Sequence, residues 1–555
     1  MVALFLAILS ALLTPTLSAP AGISIPHVDP SKILCRLPIL QNIWITCPSN
    51  GKAALNRQTS LGTANGVEDP NGAYRFAVRY GNAARFQPSS VVTSWDLPNG
   101  SNNASALPLA CPQPDIDASA YSEDCLSMIL YVPPSLTVTS QAPTLVWIHG
   151  GSFIVGSSSG AGLDGSKLAI ATNSIVAVIQ YRLGAPGFLA PNGQTNLAVK
   201  DVVTGLNFLK KVLPYFGGSP SKVTLAGQSA GANMIRALLA VPSASSLFRS
   251  AILQSDPMNF GFLSPTTYSA LKNDFVSRTG CSATDNACLN GLSVAALISA
   301  SMATFNAGLS ISPAAGQAQP IRPVLDGSYI AAPLDSTGTF PPQTKPLLIT
   351  TVAQEAGWAI YKSFSDPLPE FALPSVCEFS LGSDRTATVL NQQLYQPIPN
   401  AGGDPDARAQ LQLIGTDQLW KCSGWTFTRS WVQNGGTAYV GQYVVGSTYP
   451  GNELVPFCTQ SGVVCHQDDI QIVFGTVENP TSAQSALITE TQSRYKNFLA
   501  NGNPNPSGLS AWPAATSSNV HPKLLGGTGE ATVGACDPSF WGSSVQYDYQ
   551  YYHNY

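Results

Sequence analysis

Charged side chains are scarce in this 555-residue chain: Asp, Glu, Lys and Arg make up 10% of it, whereas hydrophobic residues make up 44%. Ordinary soluble proteins carry about 25% charged residues. A charged, disordered chain is therefore excluded, and a large buried core is expected. The 27 Lys and Arg residues are outnumbered by 31 Asp and Glu residues and form no basic block, which argues against a nucleic-acid partner.

Metal-binding motifs and long apolar runs are also missing. The sequence has no CxxC pair, no HExxH motif and no EF-hand loop, so it predicts neither a metal site nor a cofactor. Beyond the N-terminal segment, no run approaches the roughly 18 apolar residues of a transmembrane helix. We therefore expect no stable membrane insertion, and the oligomeric state is left open.

The N-terminal segment has the character of a secretory signal. Residues 2–13 are largely apolar, and the small residues of 14–18 suit cleavage between Ser18 and Ala19. A buried first helix is the alternative, but nothing amphipathic marks one. The sequence thus predicts a signal peptide over residues 1–18, a secreted, extracellular product and a single domain over 19–555, ending in a Tyr-rich tail from about 543.

The chain has 11 cysteines, an odd number that leaves at least one without an intramolecular partner. Secretion and close spacing together suggest disulfides that close short loops. The candidate pairs are Cys35 with Cys47, Cys111 with Cys125, Cys281 with Cys288, and Cys458 with Cys465. Asn99 and Asn103 each begin an Asn-x-Ser glycosylation acceptor in a Gly/Asn/Ser-rich stretch, which predicts an exposed loop.

Short apolar runs alternate with longer helical stretches, which is typical of an α/β fold. The clearest strands are residues 144–149, 175–181, 223–227, 251–254 and 346–352. Between the second and third of them, residues 196–216 show helical spacing of apolar side chains before a Gly-Gly stop. We expect a large mixed, mostly parallel central sheet covered by helices on both faces.

A candidate nucleophile lies in Gly227-Gln228-Ser229-Ala230-Gly231, which matches G-x-S-x-G. The bare pattern is weak in a chain rich in Gly and Ser, so its context decides. A β-rich run precedes Ser229 and a run of helix formers follows it, which predicts a strand-to-helix turn with an exposed hydroxyl. An ordinary glycine-rich turn is the alternative.

A serine hydroxyl needs a base to attack an ester. On an α/β-hydrolase scaffold the order is Ser, acid, His, which leaves three of the five histidines: His466, His521 and His553. His553 lies in the Tyr-rich tail, and His521 lies in a polar loop. His466 is therefore the preferred base.

The acid of such a triad lies just beyond the C-terminal end of a strand. Glu355 follows the 346–352 strand at this position. Asp326 and Asp256 are competitors, the first better suited to a turn and the second to a supporting role. Glu355 is preferred because of its position.

Donors for the oxyanion are expected from the residue after the nucleophile and from a glycine-rich turn after an earlier strand. Ala230 is the first, and Gly150 and Gly151 form the second, directly after the apolar 144–148 strand. A plain hairpin or a phosphate-binding loop is the alternative, but no G-x-G-x-x-G motif is present.

These residues resemble the type-B carboxylesterase and lipase family, the cholinesterase-like α/β-hydrolases, in a secreted, fungal-type form. Matching blocks run in order from about residue 74 to 513: 85–88, 122–126, 146–151, 181–188, 216–223, the Ser229 turn, 252–255, 323–327, 355–357, 466–475, 501–505 and 512–513. The resemblance implies an α/β-hydrolase fold, Ser229 as nucleophile, His466 as base and Glu355 as acid. It also implies Gly150, Gly151 and Ala230 as amide donors.

Departures from the family pattern shape the expected specificity. Gln228 stands where the family often has Glu, which makes a cationic choline ester less suitable. Gln467 and Ser152 stand where glycines are usual, and the 111–125 loop, which resembles a lid or gorge wall in relatives, is short. We expect a serine hydrolase that cleaves small, uncharged carboxylic esters through an acyl-enzyme. The alternatives are a lipase or sterol-ester hydrolase, an esterase for hydroxycinnamoyl or other plant esters, and an inactive adhesion protein on the same fold.

Overall fold

The structure is a computed structural model that describes residues 54–335, 339–398, 406–542 and 544–545. All of them belong to one unit, Ser49–Tyr555. The predicted signal peptide, Cys35, Cys47, His553 and nearly all of the Tyr-rich tail lie outside the described residues. The signal peptide and the single-domain boundaries therefore remain predictions.

The strands are numbered in chain order. They are β1 Asn56–Thr59, β2 Gly62–Asn65, β3 Val67–Glu68, β4 Tyr74–Asn82, β5 Ser90–Asp96, β6 Ser127–Val132, β7 Ala142–Ile148, β8 Ile175–Ile179, β9 Gly218–Gln228, β10 Ser250–Gln254, β11 Pro346–Val352, β12 Thr437–Tyr443 and β13 Lys523–Leu525.

The α-helices follow the same order. They are α1 Ser166–Thr172, α2 Gly184–Phe188, α3 Leu197–Val212, α4 Ala230–Leu239, α5 Pro265–Thr279, α6 Asn286–Gly291, α7 Val294–Asn306, α8 Gly308–Ile311, α9 Gly357–Ser363, α10 Leu373–Leu381, α11 Ser383–Leu390, α12 Ala407–Thr416, α13 Cys422–Gln433, α14 Ile470–Phe474 and α15 Ser482–Asn501. A π-helical turn, Asp417–Lys421, joins α12 to α13.

Within the described ranges, one sheet of 11 strands has the order β13-β12-β11-β10-β9-β7-β8-β6-β4-β3, and β5 pairs with β4. The pairs from β13 to β8 are parallel. The pairs that join β8, β6, β4, β3 and β5 are antiparallel. The predicted mixed, mostly parallel sheet of an α/β-hydrolase is therefore confirmed.

Both faces of the sheet are buried, as the continuous apolar run of residues 145–148 in β7 indicates. Val146 and Ile148 lie in one hydrophobic cluster, which includes side chains of α3, α4 and α13. Leu145 and Trp147 lie in a second cluster, which includes side chains of α1, α14 and α15. Because successive strand residues point to opposite faces, helices cover the sheet on both sides.

The cysteine pairs expected from spacing are disulfides wherever the structure describes both partners: Cys111–Cys125, Cys281–Cys288 and Cys458–Cys465. A fourth bond, Cys422–Cys536, joins residues 114 positions apart, which spacing does not indicate. Cys377 is buried and free among the described cysteines. Asn99 and Asn103 are both exposed, and their glycosylation remains a prediction.

None of the helices in the described ranges combines the length and the apolar composition that spanning a bilayer requires.

Candidate active site

Ser229 lies at the junction of β9 and α4 with φ 57° and ψ −125°. A positive φ is uncommon for a residue with a side chain, and such strain often lies at functional sites. The Ser229 amide donates to Gln254 O at 2.9 Å, and the Ser229 carbonyl accepts from Asn233 N at 3.0 Å. One bond ties the turn to the neighbouring strand β10, and the other begins the helix.

The two glycines of the G-x-S-x-G segment let this turn approach β7. A Cβ on Gly227 would lie 2.8 Å from Ile148 O and from the backbone of Gly231. A Cβ on Gly231 would overlap Ile148 O and lie 2.8 Å from His149 O. Because backbone atoms are in the way, neither position accommodates a side chain without displacing a strand.

The turn that follows β7 packs directly against the Ser229 turn. A Cβ on Gly150 would lie 2.8 Å from Gln228 O and 3.1 Å from Ser229 Cβ. Gly151 has φ 104°, which favours glycine. In the described part of the chain, the amides of Gly150, Gly151 and Ala230 have no protein acceptor, so these N–H groups are free to bind an anionic oxygen.

Glu355 and His466 meet at the same edge of the sheet. Glu355 lies three residues beyond β11, where its Oε1 accepts from Val352 N at 2.8 Å and its Oε2 accepts from His466 Nδ1 at 2.6 Å. The Glu355 side chain is fully buried, and that of His466 is 19% exposed. A carboxylate at Nδ1 places the imidazole proton on that nitrogen and leaves Nε2 as an acceptor.

The Nε2 atom of His466 reaches the residue next to Ser229. The described contact is with Gln228, whose side-chain nitrogen lies 3.1 Å from Nε2. The Ser229 hydroxyl makes no described hydrogen bond to His466. The structure thus brings Ser229, His466 and Glu355 to the same edge of the sheet, with His466 bonded to Glu355 but not to Ser229.

The loops that carry the acid and the base are also linked to each other. Gln354 N donates to Val464 O at 3.0 Å, and Val464 N donates to Gln354 Oε1 at 2.8 Å. The Cys458–Cys465 disulfide ends directly before His466. These contacts restrict the position of His466 relative to Glu355.

Two carboxyl groups that follow His466 support its loop, a role that the sequence pattern does not indicate. Asp468 accepts from the amides of Cys465 and Tyr449 and from Asn452 Nδ2, at 2.7 to 2.8 Å. Asp469 Oδ2 accepts from Gln254 Nε2 at 2.5 Å. Burial raises the pKa of Asp468 to about 6 and that of Asp469 to about 7.

The competing acids have other partners. Asp256 is buried in an ion pair with Arg236, 3.0 Å from its Nε. Asp326 accepts from the amide of Tyr329 at 2.7 Å and from the Thr195 hydroxyl at 2.6 Å. The carboxyl group that contacts His466 is that of Glu355.

Two further histidines, His521 and His149, lie in environments that differ from that of His466. The Nδ1 atom of His521 lies 3.0 Å from Glu530 Oε1 on the surface. His149 is buried, stacks on Tyr181 with ring centroids 4.6 Å apart, and places its Nδ1 2.8 Å from Gly150 O. Burial lowers the pKa of His149 to about 4, so the ring is neutral at ordinary pH and supports the glycine turn.

Two departures from the family pattern occupy strained backbone positions. Gln467 has φ 79° and Ser152 has φ 51°, and glycine adopts such values at the lowest cost. This explains why glycine would suit both places.

Among the described residues, Asp417, Cys422 and Cys536 are grouped closely enough to hold a metal ion. Both sulfur atoms belong to one disulfide, so neither is a thiolate ligand. The expectation of no metal and no cofactor remains a prediction.

The comparisons with known proteins agree with one another. The model of the "Carboxylesterase family" matches residues 55–530. The chain is 28% identical to Carboxylesterase 1D of Rattus norvegicus over 462 residues, covering 77% of this chain and 80% of the relative. It is 29% identical to Liver carboxylesterase 1 of Mus musculus over 421 residues, covering 71% and 72%.

The solved structure of a PNB esterase has a TM-score of 0.69 at 24% identity, covering 85% of this chain and 96% of that one. This likeness concerns the fold. The relatives named above are mammalian, so the fungal-type expectation remains a prediction.

Proposed function

Because the chain belongs to the carboxylesterase family, we propose that it hydrolyses carboxylic esters with Ser229 as nucleophile, His466 as base and Glu355 as acid. The observation that carries the assignment is the 2.6 Å contact of Glu355 with His466 Nδ1, which turns Nε2 towards the Ser229 turn. In this role Glu355 stays ionised and holds the imidazole in the reactive tautomer.

In the first half of the reaction, the Ser229 hydroxyl moves to Nε2 and displaces the Gln228 amide. His466 takes the hydroxyl proton while the Ser229 oxygen bonds to the ester carbonyl carbon. The carbonyl oxygen becomes an oxyanion, for which the free amides of Gly150, Gly151 and Ala230 are suitable donors. His466 then protonates the leaving alcohol, and the acyl group stays on Ser229.

In the second half, water takes the place of the alcohol. His466 accepts a proton from the water as its oxygen attacks the acyl carbon, and a second oxyanion forms. This intermediate collapses when Ser229 leaves and regains a proton from His466. The products are a carboxylic acid and an alcohol, and no cofactor takes part.

The proposed substrates are small, uncharged esters. Gln228 is neutral and fully buried beside the nucleophile, so this position offers no negative charge to attract a cationic alcohol group. Secretion is part of the same proposal. It is supported by the four disulfides in the described residues, which suit an oxidising compartment.

The test is turnover of a chromogenic short-chain aryl ester by the wild type and by Ser229→Ala and His466→Ala. Each variant should lose at least about 10³-fold in kcat. The control is Ser277→Ala on the exposed side of α5, which should keep full activity. Rates within tenfold of the wild type for Ser229→Ala would overturn the assignment.

Labelling by an organophosphonate separates the enzyme from an inactive protein on the same fold. The wild type and the Ser277→Ala control should be labelled, and Ser229→Ala should not. An unreactive wild type that is folded would favour the adhesion-type alternative.

A further inference from the structure

The side chain of Gln228 contacts Nε2 of His466, the atom that accepts the Ser229 proton in the proposed reaction. Gln228 has no exposed surface, and its amide nitrogen lies 3.1 Å from His466 Nε2. The mechanism gives this residue no task, although it directly precedes the nucleophile.

The contact selects one protonation state of His466. A glutamine NH₂ group can only donate, so Nε2 must be the acceptor. Because Nδ1 already carries the proton directed at Glu355, the imidazole in this arrangement is neutral. An imidazolium would place a second N–H group against the NH₂ group, and the two donors would repel each other.

Turning the amide over does not remove this preference. The Oε1 atom of Gln228 is buried without a partner in the described residues, and a Cβ on Gly150 would lie 2.9 Å from it. To accept from an imidazolium, Gln228 would have to move its two N–H groups into this confined position beside Gly150. Unpaired buried donors are costly, so the neutral imidazole is the better partner.

The other groups around His466 act in the opposite direction. Glu355 contacts Nδ1 directly, and Asp468 and Asp469 interact with the ring through their charge. The uncharged ring of Trp420 also packs near the imidazole, and the centroids of the two rings lie 5.3 Å apart. When the carboxyl groups are ionised they favour the imidazolium, and in the described part of the site Gln228 is the side chain at Nε2 that counteracts them.

We propose that Gln228 is a positioning residue that keeps His466 neutral and aligned between turnovers, so that the base remains available in mildly acidic solution. This inference rests on the proposed function, because it concerns the same base. It predicts that residue 228 determines the pH at which activity is lost on the acid side.

The experiment compares kcat/KM for a short-chain aryl ester from pH 4 to pH 8 in the wild type, Gln228→Glu and Gln228→Met. A carboxylate at Nε2 stabilises the imidazolium, so Gln228→Glu should raise the midpoint of the acid limb by about one pH unit. Gln228→Met removes the donated hydrogen bond and should raise the midpoint by about 0.7 unit, which corresponds to about 1 kcal/mol at ~1.36 kcal/mol per pKa unit.

The matched control is Gln492→Glu on α15, where the half-buried amide donates to Val473 O at 3.4 Å. It adds the same charge elsewhere and should leave the midpoint unchanged. If both Gln228 variants keep the wild-type midpoint, even with a lower plateau, Gln228 is merely structural and the inference is wrong.

The two proposals fail in different ways. If Ser229→Ala is as active as the wild type, the proposed function is wrong whatever residue 228 does. If Ser229 is essential but the midpoints coincide, only the inference about Gln228 is wrong. Should Gln228→Glu fail to fold, the nearly isosteric Gln228→Met still decides the question.

Discussion

The Ser229 turn and the His466 loop face each other across the site, but different interactions hold them. In the turn, Gly227 and Gly231 allow backbone to pack on backbone, and no side chain is needed. In the loop, buried side chains make the contacts: Glu355 holds the imidazole, and Asp468 binds two amides.

Because of this difference, the two regions should be sensitive to different kinds of substitution. A turn held by close backbone approach tolerates no added atom, but it contains no group that ionises. A loop held by carboxylates and an amide tolerates changes of size better than changes of charge. Substitutions that alter only charge or only volume should therefore distinguish the two regions.

The largest effect is expected from Glu355→Gln, which removes a charge from the loop and almost no volume. The variant no longer favours the reactive tautomer or the imidazolium formed in the reaction. The kcat for a short-chain aryl ester should fall by about 10⁴-fold, as in the equivalent change of a serine protease triad.

The control for this prediction is Glu378→Gln, an exposed position on α10, which should have no effect on kcat. Thermal unfolding should confirm that the variant is folded. A loss smaller than tenfold in a folded Glu355→Gln protein would remove Glu355 from its proposed role.

The next effect is expected from Gly231→Ala, which adds volume to the turn and no charge. The new Cβ would overlap Ile148 O and lie 2.8 Å from His149 O. Because overpacking against a fixed backbone costs about 1 to 3 kcal/mol, urea unfolding with intact disulfides should show a loss near the upper value.

Gly291→Ala is the matched control for the turn. Gly291 ends α6, and a Cβ there would meet no atom within 4 Å. The control should be neutral or slightly stabilising, since alanine favours a helix by about 0.5 to 1 kcal/mol. Equal stability of Gly231→Ala and the wild type would contradict the steric account of the turn.

The same contrast explains what could be predicted from the sequence. The Ser229 turn is a local pattern, because its strand, glycines and helix are contiguous. The Gln228–His466 contact joins residues 238 positions apart, and the Gln254–Asp469 contact joins residues 215 apart. Neither pair shows a local signal, so the supporting roles of these side chains were not predicted.

The fold was predictable to a similar extent. Strands β7, β8 and β11 are strongly apolar runs, whereas in β9 only the predicted 223–227 part is. The 196–216 helix appears as α3 followed by a 3-10 turn that is capped by Gly217, φ 80°. The antiparallel strands β3 to β6 and the Cys422–Cys536 disulfide depend on distant pairing. The periodicity of apolar residues indicates that a segment is buried, but it does not identify the distant segment with which it pairs.

The smallest effect is expected from Asp469→Asn, which tests whether the stability of the loop depends on pH. Burial, together with the charge of Glu355, raises the pKa of Asp469 to about 7 in the folded protein, whereas an unfolded Asp titrates near pH 4. The folded state therefore binds more protons between these values. The stabilising contribution of this group is complete below about pH 4 and is lost as the pH rises through about 7.

Urea unfolding from pH 5.5 to pH 8 tests this pH dependence. The free energy of unfolding should change with pH at different slopes in the wild type and in Asp469→Asn. The wild type should lose stability relative to Asp469→Asn as the pH rises, by at most about 1.4 kcal/mol per pH unit, because the variant side chain cannot ionise but still offers Gln254 an oxygen. The exposed Asp384→Asn on α11 should follow the wild type. The loss of stability caused by Gly231→Ala should be constant over this pH range, since residues 227–231 contain no ionisable side chain.

A pH-independent difference in stability between the wild type and Asp469→Asn would mean that the buried carboxyl group does not titrate in this range. Charge would then not distinguish the loop from the turn.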